Sequence, residues 1–438
     1  MKAGIPLLLA CAAPLASAMF IRPNLVPVPT LEKNASAYTA DHPKEANGWY
    51  VLARIHYLAF VEKSDALAAS GRPGGLPPTL YGGPYTPASQ IAVEQEASRR
   101  TLEKLGLKEI PQTGPESQDY YDQVRATIQQ LTREHWAPPA LAPEELVRHV
   151  NESLKAFAKA LEIEPDNALY LLGKASLLQQ FADARADLEK SGVKDLPPVA
   201  DKDERAALFY KAFAQAKDKD AKSPTMPMLG LAKLVSFEAG QAYLRLLPDG
   251  PKVAEINDHL KTLQSLPPGP VTPIVFSLDP QVTSIQGLLD PGHTVKFDLS
   301  GFGRAEAWPW IAPGTSLLVW DPAGSGKIED GRQLFGTYTW GIFWENGFRA
   351  LSMLDDNHDG QLTGPELNGL AAWTDRNGDG ISTPDEVIPL SKLGIRSIAT
   401  APEDQEGVHP HHPAGLTLQD GTTRPVWDWI TSGVTPAE

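Results

Sequence analysis

Two short acidic stretches near the C-terminal end constrain this chain more than anything else in it. Residues 355–366 read DDNHDGQLTGPE, and residues 375–386 read DRNGDGISTPDE. In the first, Asp355, Asn357, Asp359, the Gln361 carbonyl and Glu366 stand at positions 1, 3, 5, 7 and 12, with Gly360 at 6. In the second, Asp375, Asn377, Asp379, the Ile381 carbonyl and Glu386 repeat the order around Gly380. A hard cation of weak directional preference takes about six to eight oxygens, which alternate side chains on a tight turn supply from one side. A glutamate at position 12 closes the cage with both oxygens. The spacing predicts two sites for Ca2+.

This is the loop pattern of an EF-hand. A bland alternative exists, because Asp, Asn and Gly are also the commonest turn residues. The position-12 glutamates argue against it, although Thr363 and Thr383, three residues earlier, make each T-x-x-E a capping box as well. With Pro384 at a first helical position, a helix is expected to follow each loop. Only residues 367–374 (LNGLAAWT) separate the loops, so both are expected to share one helix. That closeness, and Ser382 where position 8 is usually apolar, disfavour a calmodulin-like opening switch. Loops of this kind predict affinities of roughly 10⁻⁵ to 10⁻³ M, filled outside a cell and largely empty in a cytosol.

Residues 1–18 (MKAGIPLLLACAAPLASA) have the early lysine, apolar run and Ala-Ser-Ala end of a cleaved signal peptide. The expected location is therefore secreted, periplasmic or at the cell surface. Cys11, the only cysteine, follows Leu-Leu-Ala as in a bacterial lipobox, so a lipid anchor at Cys11 is the alternative. In the cleaved version no cysteine remains and no disulfide can form. No later segment is apolar and long enough to span a membrane. A formal charge of −15 disfavours nucleic acid as a partner.

From about residue 47 to 266 apolar residues recur at i, i+3 and i+4, as in Trp49, Leu52, Ile55 and Ala59. Helices are expected near 88–105, 117–136, 143–163, 168–190, 202–216, 227–247 and 253–266, with an irregular Gly/Pro excursion at 71–87. KAFAKA at 155–160 returns as KAFAQA at 211–216, and LGKA at 172–175 as LGLA at 229–232. Residues 156–178 resemble a tetratricopeptide repeat, with Phe157, Ala160, Pro165, Leu171, Ala175 and Leu178 at its small and large positions. The echo's spacing of 56 residues exceeds the period of about 34 for that repeat, so extra loops must intervene. The resemblance implies an interaction scaffold for a protein or peptide partner.

Pro267-Pro268-Gly269-Pro270 marks a linker. The expected organisation is a signal peptide at 1–18, an all-helical domain at 19–266, the linker at 267–270, a calcium-binding domain at 271–431 and a tail at 432–438. The fold class expected is mainly α, with a smaller α+β C-terminal domain carrying the two loops. Phe297-Asp298-Leu299, WPWIAPGTSLL at 308–318, DPAGSGKIEDGRQLF at 321–335, GFRALSML at 347–354, both loops, Gly394-Ile395 and Asp428-Trp429 occur in a characteristic order. In that order the segment resembles the calcium-binding region of exported bacterial haemolysin or repeats-in-toxin proteins. No glycine-rich nonapeptides are present, so toxin activity is not implied.

Residues 321–332 keep Asp321, Gly326 and Ile328 but have Ala323, Ser325 and Arg332 at ligand positions, and are read as a structural turn, as is 298–303. GSGK at 324–327 fails as a phosphate loop, since Ile328 replaces the Ser or Thr. His409, His411 and His412 are read as an exposed loop rather than a metal patch. No motif with placed catalytic groups is visible, and the chain is read as a non-enzyme. The expected function is an exported calcium-binding protein whose metal orders the C-terminal module, with the helical half as scaffold. Two alternatives remain: a dockerin-like assembly module, disfavoured by Glu rather than Asp at position 12, and a calcium-stabilised hydrolase.

Overall fold

The helical half follows from local chemistry. In the computed structural model, which describes residues 25–69, 80–81, 97–98, 100–107, 115–133, 141–219, 226–263, 270–301 and 305–434, α1 (Val28–Asp41) and α2 (Ala46–Glu62) come first. Then follow α3 (Pro115–Arg133), α4 (Pro143–Ile163), α5 (Ala168–Lys190), α6 (Lys202–Lys219), α7 (Met226–Leu246) and α8 (Val253–Leu263). Pro143 opens α4 where its missing N–H costs nothing, and Glu144 and Glu145 complement the positive end of its dipole. Asn167 caps α5, its side chain accepting from the Leu169 and Tyr170 amides. Leu146, Val150, Phe157 and Ala160 form the buried face of α4.

Each helix from α4 to α7 packs on its successor, and α2 packs on α4. A two-stranded antiparallel ribbon, β1 (Leu25–Pro27) with β2 (Ala66–Ala68), adds strand structure that an all-helical reading lacks. Of the helix expected at 88–105, residues 97–98 and 100–105 are helical and the rest lies outside the described residues. The signal peptide, Cys11 and most of the 71–87 excursion also lie outside them.

The C-terminal half overturns the fold class expected for it. Nine strands form one antiparallel sheet: β3 (Ile274–Ser277), β6 (Thr315–Trp320), β7 (Gln361–Thr363), β8 (Leu370–Trp373), β9 (Val387–Pro389), β10 (Ile395–Ala399), β11 (Asp404–Glu406), β12 (His409–Leu418) and β13 (Thr423–Asp428). Their order is β7-β10-β12-β13-β3-β6-β8-β9, with β11 also paired to β12. A separate ribbon joins β4 (Leu289–Phe297) to β5 (Glu306–Ile311). The only α-helix described here is the short α9 (Gly347–Leu351). The module is therefore sheet-rich, not a small α+β unit built of helix–loop–helix pairs.

The physical reason lies in the burial of the central strands. β3, β6 and β8 are buried at every position, so their sequences IVFS, TSLLVW and LAAW read as continuous apolar runs without alternation. A short run of that kind does not distinguish strand from helix. Six fully buried tryptophans, Trp308, Trp310, Trp340, Trp344, Trp373 and Trp427, fill the core of this half.

Candidate metal centre

Both acidic stretches fold as tight turns. At position 1, Asp355 is buried and its Oδ2 accepts from the Gly360 amide at 2.9 Å. Asp375 is likewise buried, its Oδ2 accepting from the Gly380 amide at 2.9 Å and its Oδ1 from the Gly378 amide at 2.9 Å. Asn357 Oδ1 accepts from the Asp359 amide at 3.0 Å, and Asp359 Oδ1 from the Gln361 amide at 2.9 Å. Asn377 and Asp379 repeat these two bonds at 3.1 and 2.8 Å. Positions 4 and 6 are left-handed in both turns: His358 and Gly360 at φ 59° and 83°, Gly378 and Gly380 at φ 71° and 70°.

The position-12 carboxylates reach back across their turns. Glu366 accepts from the Asp356 amide and the Thr363 amide, both at 2.9 Å, and completes a capping box with Thr363. Glu386, buried, accepts from the Arg376 amide at 3.1 Å and the Thr383 hydroxyl at 2.9 Å. Asn357, Asp359, Gln361, Asn377, Asp379 and Ile381 are exposed, so each turn has a buried floor and an open rim.

The donor set fits a hard cation. All the groups are oxygens, and Asp355 Oδ1 is a buried atom without a hydrogen-bond partner among the described residues. An orphaned carboxylate oxygen costs free energy unless a cation or water meets it.

The shared helix does not form. The first turn runs into β7 and a 3₁₀ segment, Gly364–Leu367, and then into β8 inside the sheet. Gly369 breaks the path at φ +90°, where a Cβ would sit 2.8 Å from the Trp320 ring. After Glu386 comes Val-Ile-Pro, which enters β9. Nor do the two turns bridge each other. Leu362, at position 8 of the first, pairs with Ile398 of β10. Ser382, at position 8 of the second, accepts from the Ile328 amide at 2.7 Å, and Ile328 is position 8 of the degenerate stretch 321–332. In that stretch both Asp321 oxygens are taken by the Ser325 and Gly326 amides and the Ser325 hydroxyl.

Several supporting residues escaped sequence reasoning. Trp310 Nε1 of β5 donates to Asp375 Oδ2 at 2.6 Å. His293 Nε2 of β4 donates to the Gly378 carbonyl at 2.6 Å. The β4–β5 ribbon thus cradles the second turn, while α1 supports the first: Lys33 Nζ donates to Asp356 Oδ1 at 2.9 Å and Asn34 Nδ2 at 3.2 Å. Separations of 65, 85 and more than 300 residues leave no local signal.

These turns lie in a recognisable segment. Residues 274–431 match the SPM domain. That segment begins with the first residue of β3 and includes all ten expected ligand positions. The chain is also 34% identical over 144 residues to the iron-regulated protein FrpA of Neisseria meningitidis serogroup C. The likeness takes in 31% of this chain and spans only 13% of that relative's length.

Outside the SPM segment, Glu32, His56 and His149 bring ligand-type atoms within 4.8 Å of one another. Their hydrogen bonds run in a line through Arg148. Arg148 pairs with Glu32 at 2.8 Å and faces His149 Nε2 at 3.1 Å, so that nitrogen accepts and His149 carries its proton on Nδ1. Nδ1–H then donates to His56 Nδ1 at 2.8 Å. Burial pushes both imidazoles down to about 4. No lone pair on His149 is left for a metal in this arrangement.

No helix among the described residues is long and apolar enough to cross a membrane. The expected exposed loop at 409–412 is instead strand β12, with His411 stacked on Trp427 at 5.8 Å.

Proposed function

We propose that the chain is an exported calcium-binding protein in which Asp355, Asn357, Asp359, the Gln361 carbonyl and Glu366, and their counterparts Asp375, Asn377, Asp379, the Ile381 carbonyl and Glu386, hold one ion each. The observation that carries this reading is the buried, partnerless Asp355 Oδ1 within a turn left-handed at positions 4 and 6. Bound calcium would supply the positive charge that offsets three carboxylates gathered on each short turn. The residues do the rest: Gly360 and Gly380 amides fix the position-1 carboxylates, and Glu366 and Glu386 tie the exit of each turn to its entrance. The role assigned to the metal is structural, ordering the turns against the sheet. The helical half is assigned the role of scaffold for a protein partner.

The test is calorimetric titration of the chelator-stripped full chain with calcium, for wild type, Glu366→Gln and Glu386→Gln. Two events are expected, each abolished or weakened at least tenfold by its own variant. No heat up to several millimolar calcium, the weak limit for such loops, would reduce both stretches to capped turns.

A further inference from the structure

The first turn is one of the places where the two halves of the molecule meet, alongside Arg54 donating to the Gly341 carbonyl and Arg349 lying over the Tyr38 ring. Asn34 of α1, 1% exposed, donates from Nδ2 to the Met353 carbonyl at 2.9 Å and to Asp356 Oδ1 at 3.2 Å. Lys33 donates to the same Asp356 oxygen and to the Asp356 carbonyl at 3.3 Å. α1 therefore grips the chain on both sides of Asp355, the position-1 carboxylate. The backbone amide of Asp356, whose side chain α1 holds, donates to Glu366, the position-12 carboxylate.

We propose that Lys33 and Asn34 are positioning residues of the first calcium turn, making that site a latch between the helical half and the sheet module. This rests on the calcium reading above. The arrangement that satisfies the α1 bonds is the one that sets Asp355 and Glu366 for metal. Docking of α1 and occupancy of the turn are then coupled, and each strengthens the other by the same factor. Among the described residues the second turn has no such tie. Its position-2 residue, Arg376, pairs with Asp385 in the same turn, and its outer support is the β4–β5 ribbon. Occupancy of the first turn, but not the second, is felt in the helical half.

The adjoining residue extends the path. Glu32 of α1 holds Arg148 of α4, which faces the His149–His56 pair linking α4 to α2. Tightening α1 thus bears on three helices.

The experiment titrates the full chain with calcium while amide exchange is followed in residues 28–41. In wild type, calcium should slow exchange in α1. Glu366→Gln should abolish that slowing and Glu386→Gln should leave it. Asn34→Ala should weaken the first site about tenfold, with the second site in the same titration unchanged. Lys33→Ala supplies a variant with an exposed side chain that does not open the core. Removing a positive charge near the ion would tighten binding by Coulomb attraction alone, whereas loss of the latch weakens it two- to threefold, roughly the worth of an exposed pair. If wild type binds no calcium, the site reading fails and the latch with it. If calcium binds both sites but α1 exchange ignores it and Lys33→Ala binds as tightly or tighter, the latch is overturned and the site reading stands.

Discussion

Position 4 of each turn needs a left-handed residue, and the two turns meet the need differently. The second uses Gly378 at φ 71°, where a Cβ would stand 3.0 Å from His293 Nε2. The first places His358 there at φ 59°, at an inherent cost that glycine avoids. Gly378→Ala should therefore destabilise the module by about 1–2 kcal/mol from backbone strain alone, read as a lowered urea midpoint. At this scale the turn positions were legible in the sequence, because the turn's chemistry is local: position-1 carboxylate, position-6 glycine and position-12 glutamate all bond within twelve residues. Trp310, His293 and Asn34 were not legible, since only the completed fold brings them to the turns.

Among elements, helices were legible where capping and periodicity agreed. α4 has the bounds that Pro143 and its apolar stripe imply, and α5 starts where Asn167 caps it, though its first turns are buried nearly all round. The stretch between the turns misled, because LAAW carries neither a helical stripe nor strand alternation, being buried on both faces as β8. The T-x-x-E box at Thr363 is present, yet it caps a single 3₁₀ turn, which Gly369 and the sheet end. A capping box specifies a start and says nothing of length. One consequence is spectroscopic. Calcium added to the stripped chain should order turns and strands, so far-UV circular dichroism should change without the gain in helix that paired helix–loop–helix units would produce. A large helical gain would contradict the observed connection through β8.

Across the whole molecule, the buried His56–His149 pair and the buried Asp428 respond to pH in opposite directions. His56 and His149, held down to about 4 by burial against an ordinary 6.5, favour the folded helical half fully above 6.5. That contribution is lost as pH falls from 6.5 through about 4, where the unfolded chain binds the protons first. Asp428, buried in β13 and accepting from the Gly347 amide, is pushed up to about 8 from 3.8. The native sheet keeps a proton that the unfolded chain has already lost, so its contribution is full below 3.8 and declines as pH rises through about 8. Protection factors at pH 5 and 8.5 should show α2 and α4 loosened around the histidine pair at the first and β3 and β13 at the second, with Asp428→Asn removing the alkaline decline. The sheet order carries a further consequence. β13 lies beside β3, and Val271 and Thr431 exchange backbone bonds at 2.8 and 2.9 Å, so the module's entrance and exit touch. A unit whose entrance and exit touch in this way can sit within a longer chain with both of its connections on one side of it. A circular permutant joined from 431 to 271 and opened at the exposed Asp420–Gly421 turn should still fold.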